Sequence, residues 1–277
     1  MEQKLEEVIA LENLNIYESI AERTQGDIYV GVVGPVRTGK STFIKRFMDL
    51  LVIPNVTNTY VKERVIDELP QSGAGRTITT TEPKFVPAEA VALELPGNIN
   101  FKVRMVDCVG YMVKSALGHQ ENGKARMVST PWQENQIPFE EAAEIGTRKV
   151  INDHSTIGIV ITTDGSIGEI DRDSFLPAEE RVIKELKELN KPFVVVLNST
   201  TPEGEEAQEI RALLEEKYCV PVIAVNCARM SSKVLTQILS ETLYEFPASQ
   251  IKFRLPGFIE GLPNDHWIKA TIINNIK

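Results

Sequence analysis

The fold of this 277-residue chain is decided by the stretch Gly34-Pro35-Val36-Arg37-Thr38-Gly39-Lys40-Ser41. Its pattern, G-x-x-x-x-G-K-S, uses glycines to turn backbone N–H groups toward a bound phosphate. A β-branched run, residues 28–33, precedes the stretch, and residues 41–51 after it place apolar side chains on one helical face. A glycine-rich turn that opens a helix is a site for anions, because the helix N-terminus carries partial positive charge. The pattern therefore predicts a nucleoside triphosphate site.

The residues of this loop have distinct expected roles. Lys40 is expected to reach the β- and γ-phosphates, and the hydroxyl group of Ser41 is expected to ligate Mg²⁺. Arg37 lies inside the loop and could sit beside the phosphates, although solvation is the simpler explanation for an arginine there. The predicted nucleotide-binding residues of this stretch are Gly34, Pro35, Val36, Arg37, Thr38, Gly39, Lys40, Ser41 and Thr42.

The composition limits the function classes. The formal net charge of −9 argues against a general nucleic-acid surface, so no nucleic-acid partner is expected. The 3 cysteines lie within or beside apolar runs and are interpreted as reduced cysteines of a cytoplasmic protein. No stretch reaches the ~18 consecutive apolar residues of a membrane span, and the acidic N-terminus is not typical of a signal peptide.

Strands and helices alternate along the chain. The predicted strands are 28–33, 91–95, 101–106, 157–162, 193–197 and 221–225, and the predicted helices are 41–51, 139–153, 178–190, 205–217 and 232–246. This alternation predicts an α/β fold with a mostly parallel sheet, helices on both faces and one antiparallel edge strand from the first hairpin. With the phosphate-binding loop, it indicates a P-loop NTPase with a GTPase-like frame.

Three regions are predicted along the chain: an N-terminal helical segment (1–25), a P-loop ATPase domain (26–247) and the start of a following domain (248–277). The first could alternatively be a partner-binding helix. Residues 54–90 and 111–137 are interpreted as long polar connections, which are usually functional or mobile. Within the last region, 249–255 is predicted as one more strand and 266–276 as the start of a helix.

Two further features match a nucleotide-hydrolysing site. Asp107 ends a predicted strand and opens D-x-x-G, where a carboxylate reaches Mg²⁺ and the N–H group of Gly110 faces the γ-phosphate. A threonine that closes over Mg²⁺ and the γ-phosphate is expected just before the second strand. The candidates are Thr77, Thr79, Thr80 and Thr81. The alternative for these threonines is a plain edge strand, because threonine favours strands.

Base recognition departs from the guanine-binding pattern. After the strand at 193–197, a guanine-specific protein has N/T-K-x-D, whereas this chain has Asn198-Ser199-Thr200-Thr201. The missing aspartate would accept hydrogen bonds from guanine, and discrimination depends on such paired polar groups. Asn198 and the loop at 226–228 are still expected at the base. We therefore predict ATP as the substrate. A histidine directly after the D-x-x-G glycine could orient the attacking water, but Tyr111 occupies this position.

Several long motifs resemble the stage IV sporulation protein A family. They are GPVRTGKSTFIKRFM (34–48), DELPQSGAGRTITTTEPKFVP (67–87) and ENGKARMVSTPW (121–132). The resemblance implies an ATPase related to translation-factor GTPases, with Lys40 and Asp107 as its P-loop lysine and Walker B aspartate. It also implies that Thr80 and Thr81 are sensor threonines, with Thr80 joining Ser41 and Asp107 around Mg²⁺. The implied catalytic residues are Lys40, Thr80, Thr81 and Asp107.

The resemblance further implies a biological role. Members of this family form the basement layer of the spore coat on the outer forespore surface, in the mother cell cytoplasm. ATP hydrolysis drives their self-polymerisation, and a small amphipathic membrane-associated peptide recruits them, so they are peripheral to the membrane and associate with other coat proteins. Two alternatives are a GTPase-like regulatory switch and a nucleotide-binding scaffold without turnover. The absence of N/T-K-x-D argues against the first, and the presence of Lys40, Ser41 and Asp107 argues against the second.

Overall fold

The structure, a computed structural model, describes residues 16–70, 83–95, 99–113, 116, 120–121, 124–130, 133–247, 257–263 and 266–276. The chain divides into two units, Met1–Phe246 and Pro247–Lys277. In the second unit the structure describes two helices, Gly257–Glu260 and Trp267–Ile276. The strand predicted at 249–255 lies outside the described residues, whereas the helix predicted at 266–276 corresponds closely to the second of these helices.

A six-stranded sheet forms the centre of the first unit. The strands in chain order are β1 (Asp27–Val33), β2 (Lys84–Leu95), β3 (Ile99–Asp107), β4 (Gln120–Glu121), β5 (Lys124–Ala125), β6 (Met127–Thr130), β7 (Gln133–Pro138), β8 (Ile157–Thr163), β9 (Phe193–Asn198) and β10 (Val222–Val225). The sheet order is β10-β9-β8-β1-β3-β2. All neighbours are parallel except β2, which pairs antiparallel with β3 at the edge. The predicted α/β fold with one antiparallel edge strand is confirmed.

Helices cover both faces of this sheet. They are α1 (16–23), α2 (Lys40–Phe47), α3 (Thr59–Asp67), α4 (Phe139–Asp153), α5 (Leu176–Glu188), α6 (Glu205–Tyr218) and α7 (Ser232–Tyr244). One core lies beneath α1, α2, α3 and α7 and the other beneath α4, α5 and α6. Successive residues of β9 enter opposite cores, Val194 and Val196 one and Val195 and Leu197 the other. This alternation is why the central strands are apolar throughout.

The connection predicted at 54–90 is wrong in two places. Helix α3 lies within it, and the side chain of Asn58 caps this helix by accepting a hydrogen bond from the N–H group of Val61 at 3.2 Å. Strand β2 begins at Lys84, well before the predicted start, and its register shifts between Val86 and Val91. Helix α2 is also shorter than predicted, because the backbone passes into a π-helical turn (Met48–Val52) and a short 3₁₀ turn.

The polar stretch predicted at 111–137 contains two small antiparallel pairs, β4 with β5 and β6 with β7. Val128 and Ile137, which pair across the second of them, are buried in the core beneath α4. The sequence does not indicate these strands, because β4, β5 and β6 span 2, 2 and 4 residues and β7 (QENQIP) is mostly polar. Within the described residues, no helix is long and apolar enough to cross a membrane.

Candidate nucleotide site

The predicted phosphate loop joins β1 to α2, at the carboxyl end of the central strand. Gly39 precedes the first residue of α2 and has a φ of 96°. A Cβ atom at Gly39 would lie 2.3 Å from the side-chain nitrogen of Asn198, so both the backbone conformation and the space require glycine. The hydroxyl group of Thr38 donates a hydrogen bond to the carbonyl oxygen of Pro35 at 3.0 Å and closes the loop.

Lys40 lies inside this loop rather than in solvent. It is buried, and its Nζ atom donates to the carbonyl oxygen of Pro35 at 2.6 Å and approaches that of Gly34 at 3.5 Å. Burial lowers the pKa of Lys40 because it disfavours the charged form. An anion in the loop would stabilise that form. The ammonium group is therefore held where the sequence predicts the phosphates.

Ser41 and Asp107 come together beside this lysine. Strands β1 and β3 are parallel neighbours, with Val32 opposite Asp107, so the loop after β1 meets the end of β3. The hydroxyl group of Ser41 donates to Oδ2 of Asp107 at 2.6 Å. Burial raises the pKa of Asp107, while the bond from Ser41 opposes that shift. Across the described part of the chain, the buried Oδ1 atom of Asp107 finds no hydrogen-bond partner.

These two side chains fit a magnesium ion. Mg²⁺ prefers oxygen ligands and commonly takes one or two from the protein together with phosphates and water. The hydroxyl group of Ser41 and the carboxylate of Asp107 supply such oxygens, and the Oδ1 atom remains available for a bond. Ser41 and Asp107 are thus brought together as predicted. Thr80, the third predicted metal residue, and Thr81 lie outside the described residues, as do Thr77 and Thr79.

Gly110 and Tyr111 run alongside the phosphate loop. Gly110 has a φ of 94°, and a Cβ atom there would lie 2.3 Å from the carbonyl oxygen of Gly34 and 2.6 Å from Nζ of Lys40. The N–H group of Tyr111 donates to the carbonyl oxygen of Gly34 at 3.2 Å, and that of Val36 donates to the carbonyl oxygen of Tyr111 at 2.9 Å. The residue that directly follows the D-x-x-G segment is therefore hydrogen-bonded to the phosphate loop, and Gly110 packs against it.

Asn198, the last residue of β9, forms hydrogen bonds to two loops at this edge of the sheet. Its Nδ2 atom donates to the carbonyl oxygen of Thr38 at 3.0 Å, and its Oδ1 atom accepts from the N–H group of Cys227 at 3.0 Å. Asn198 was predicted to bind nucleotide, and the structure gives its side chain contacts with the phosphate loop and with the loop after β10. Arg37 and Thr42, two other predicted residues, are half-buried.

Ser166 forms a contact near the site that the sequence did not predict. Its hydroxyl oxygen accepts from the N–H group of Thr200 at 2.9 Å, which ties the loop after β8 to the loop after β9. Asp164 holds Ser166 by accepting from its N–H group at 2.9 Å. The sequence signal was Asp164-Gly165, which reads as an ordinary turn pair. The contact between Ser166 and Thr200 joins residues 34 positions apart, so no short sequence pattern predicts it.

The site combines the phosphate loop, a buried lysine within it and a serine–aspartate pair. These features define a P-loop protein of the nucleotide-binding type. The sequence profile of the ATPase domain of stage IV sporulation protein A matches residues 11–247. The chain therefore belongs to the stage IV sporulation protein A family.

Curated relatives agree with this assignment. Stage IV sporulation protein A of Clostridioides difficile (strain 630) is 58% identical over 265 residues, covering 96% of this chain and 54% of the relative. The protein of the same name from Bacillus subtilis (strain 168) is 51% identical over 267 residues, covering 96% of this chain and 54% of the relative. The chain thus spans about half the length of the curated relatives it matches.

Two solved structures resemble this chain more distantly. One is a GTP-binding protein from Sulfolobus solfataricus in complex with GDP, with a TM-score of 0.43 and 13% identity, covering 79% of this chain and 53% of that one. The other is the FeoB G-domain from Methanococcus jannaschii, with a TM-score of 0.38 and 16% identity, covering 79% of this chain and 98% of that one.

Proposed function

We propose that this chain binds ATP and hydrolyses it to ADP and phosphate in a Mg²⁺-dependent reaction. The observation that carries the proposal is the 2.6 Å contact between Ser41 and Asp107 beside the buried Lys40. A triphosphate requires both a cation for its terminal phosphates and oxygen ligands for its metal. The family assignment, which names an ATPase domain, supports the same chemistry.

The roles of the residues follow from their positions. Backbone N–H groups of 34–41 and the ammonium group of Lys40 bind the phosphates and stabilise the charge that builds up during transfer to water. Ser41 and Asp107 would hold Mg²⁺, which would supply further charge neutralisation when bound. Gly110 directs its N–H group toward the γ-phosphate. Thr80 and Thr81 complete the site when their segment closes over the nucleotide, with Thr80 contacting the metal.

Adenine is the proposed base because the guanine-reading residues are absent. The segment Asn198-Ser199-Thr200-Thr201 has neither the lysine nor the aspartate of N/T-K-x-D. Both side-chain polar ends of Asn198 are engaged by the protein itself, and the N–H group of Thr201 donates to the hydroxyl oxygen of Ser199. This loop thus lacks the aspartate that would accept from guanine N1–H and N2–H₂, which removes the main source of GTP preference.

In the longer protein, hydrolysis is proposed to drive self-assembly of the spore coat basement layer. Family membership supports this role, which would place the protein in the mother cell cytoplasm at the outer forespore surface. A small amphipathic membrane-associated peptide and other coat proteins are the proposed partners, with the membrane contacted only peripherally.

The test is a nucleotide competition with a turnover assay on the same preparation. ATP and GTP compete for the chain at equal Mg²⁺, and phosphate release is followed with Mg²⁺ and with chelator. We expect ATP to bind more tightly and turnover to require Mg²⁺. Lys40→Ala, checked for folding by circular dichroism, should lose both activities. GTP binding tighter by tenfold, about 1.4 kcal/mol, would favour a GTPase-like switch, and binding without turnover would favour a scaffold.

A further inference from the structure

Tyr111 stands directly after the D-x-x-G glycine, and its side chain is buried and bonded to α5. It is 1% exposed, and its hydroxyl group donates a hydrogen bond to Oε2 of Glu185 on α5. A side chain held in this way cannot orient water at a γ-phosphate. The proposed function leaves this buried tyrosine without a role.

Charged residues of α4 and α5 surround the tyrosine. The guanidinium group of Arg181 lies 4.8 Å from the centre of the Tyr111 ring and also binds Glu144 of α4 through two nitrogens, at 2.5 and 2.8 Å. Glu185 accepts further bonds from Arg181 at 3.4 Å and Arg148 at 3.3 Å. Burial and the neighbouring carboxylate of Glu185 raise the pKa of Tyr111, so the hydroxyl group keeps its proton and remains a donor.

Helix α5 is itself fixed to the sheet. Glu179 in its first turn is fully buried and accepts from the hydroxyl group of Thr162 on β8 at 2.5 Å. Arg172 forms an ion pair with the same carboxylate at 2.6 Å. Val182, Ile183 and Leu186 of α5 are buried in the core. Glu185 is therefore presented by an element that is anchored at several points.

The backbone of Tyr111 connects this anchor to the nucleotide site. Two hydrogen bonds join Tyr111 to Gly34 and Val36 of the phosphate loop. The preceding residue, Gly110, packs so closely on Lys40 that a Cβ atom there would lie 2.6 Å from Nζ. A shift of Tyr111 would thus move the N–H group of Gly110 and also change the position of the Lys40 ammonium group.

We infer that Tyr111 is a positioning residue, whose bond to Glu185 holds the Gly110 backbone against the phosphate loop in readiness for a γ-phosphate. The inference rests on the proposed function and assigns a residue that acts through Gly110. Because ADP lacks the γ-phosphate, loss of the bond should weaken triphosphate binding and slow turnover while leaving ADP binding unchanged.

The experiment compares Tyr111→Phe with Tyr17→Phe in the full chain. Tyr17 offers a matched control, because its hydroxyl group lies 3.4 Å from Thr236 and its ring stacks on Phe101 at the start of β3, remote from the loop. Dissociation constants are measured for ADP and for a non-hydrolysable ATP analogue, together with kcat and the melting temperature. For Tyr111→Phe we expect about tenfold weaker analogue binding, the size of one charge-assisted hydrogen bond, with ADP binding within about twofold.

Two variants of Glu185 test whether the bond itself is responsible. Glu185→Gln keeps an oxygen acceptor without the charge and should fall between wild type and Tyr111→Phe, whereas Glu185→Ala should reproduce the selective loss of analogue binding seen in Tyr111→Phe. In the ratio of analogue affinity to ADP affinity, Glu185→Ala should add little to Tyr111→Phe, because both remove the bond between these two residues. The loss of the ion pairs of Glu185 with Arg148 and Arg181 should appear in the melting temperature instead.

Two results would overturn the inference while leaving the proposed function standing. In one, the wild type binds and hydrolyses ATP, and Tyr111→Phe matches it in every measurement. In the other, Tyr111→Phe weakens ADP and analogue binding equally and lowers the melting temperature, which is the signature of a purely structural tyrosine. If wild type neither binds the analogue nor hydrolyses ATP, the proposed function fails, and this inference fails with it.

Discussion

Burial of the ionised Asp107 carboxyl group destabilises the nucleotide-free protein, whereas burial of its protonated form does not. Its pKa is raised above its ordinary value of 3.8, so the folded state binds this proton more tightly than the unfolded state. The stability that this group contributes is therefore fully present below pH 3.8 and is lost as the pH rises through the raised folded pKa. A carboxylate kept in this position despite such a cost is typical of a functional site.

Asp107→Asn should separate stability from turnover. The amide carries no charge, so we expect the nucleotide-free variant to melt at or above the wild-type temperature at pH 7 and to lack this part of the pH dependence. Turnover of ATP should fall at least about tenfold, because the metal loses an anionic ligand. Thermal melts between pH 3 and 8 and phosphate release measure the two effects. The exposed Asp153→Asn is the control, and wild-type turnover in Asp107→Asn would contradict the metal role.

Gly110 makes a second prediction about a single residue. In Gly110→Ala, the methyl group would overlap the carbonyl oxygen of Gly34 and Nζ of Lys40, and the left-handed φ adds about 1–2 kcal/mol of strain. We expect ATP binding to weaken by at least about tenfold and the melting temperature to fall. Gly168→Ala is the matched control, since nothing lies within 4 Å of a Cβ atom there. Unchanged ATP affinity in Gly110→Ala would mean that this backbone does not border the phosphates.

The sequence predicts the residues that belong to short motifs, but it does not predict contacts between distant residues. Lys40 and Ser41 were predictable because eight consecutive residues spell out the loop, and Asp107 because it ends a recognisable strand. The bond from Tyr111 to Glu185 joins residues 74 positions apart, and Asn198 reaches the loop across 160 positions. Such pairings depend on which strands become neighbours, which hydrophobic periodicity alone does not specify.

Among the elements, the sheet interior was predicted more accurately than its edge. Strands β8 and β9 are continuous apolar runs, and α4 has the bounds that its apolar spacing predicts. Helix α3 was missed because it lies within a segment whose overall composition is polar, although Asn58 is a recognisable cap and Val61 and Val65 have helical spacing. Strand β2 was predicted too short because Pro87 interrupts its pattern, and its register shifts there.

The threonine segment before β2 carries the third prediction. Thr80 and Thr81 are proposed to contact the metal and γ-phosphate only when their segment closes, whereas the loop and Lys40 bind the phosphates independently. Replacing both threonines by alanine should therefore leave ATP affinity within a fewfold of wild type and lower kcat, since the loss falls on the transition state. Equilibrium titration beside steady-state hydrolysis measures the two effects.

Single substitutions serve as controls for that pair. Normal turnover in the double variant, together with loss in Thr77→Ala, would move the sensor three residues upstream. Normal turnover in every threonine variant, Thr79→Ala included, would leave the segment as an edge strand without a catalytic role.

For the whole molecule, parallel topology explains why the site forms where it does. The phosphate loop follows β1, Asp107 ends β3, Asn198 ends β9 and Cys227 follows β10. Because parallel strands end at the same edge of a sheet, these four positions converge although they are widely separated in sequence. Each described site residue lies in the unit Met1–Phe246.

The last prediction concerns how much of the chain this site needs. Helix α7 completes the cover of one face at Tyr244, and the guanidinium group of Arg23 lies 5.7 Å from the centre of the Phe246 ring, so a chain ending at Pro247 keeps these contacts. We expect this shortened chain to bind ATP and turn it over within about twofold of the full chain, corresponding to less than about 0.5 kcal/mol. Titration, phosphate release and thermal melts of both chains provide the comparison. Lys40→Ala in the shortened chain checks that turnover belongs to this site. A large loss of turnover with an unchanged melting temperature would show that residues 248–277 contribute to catalysis, and a loss of both would show that they are required for the fold of the first unit.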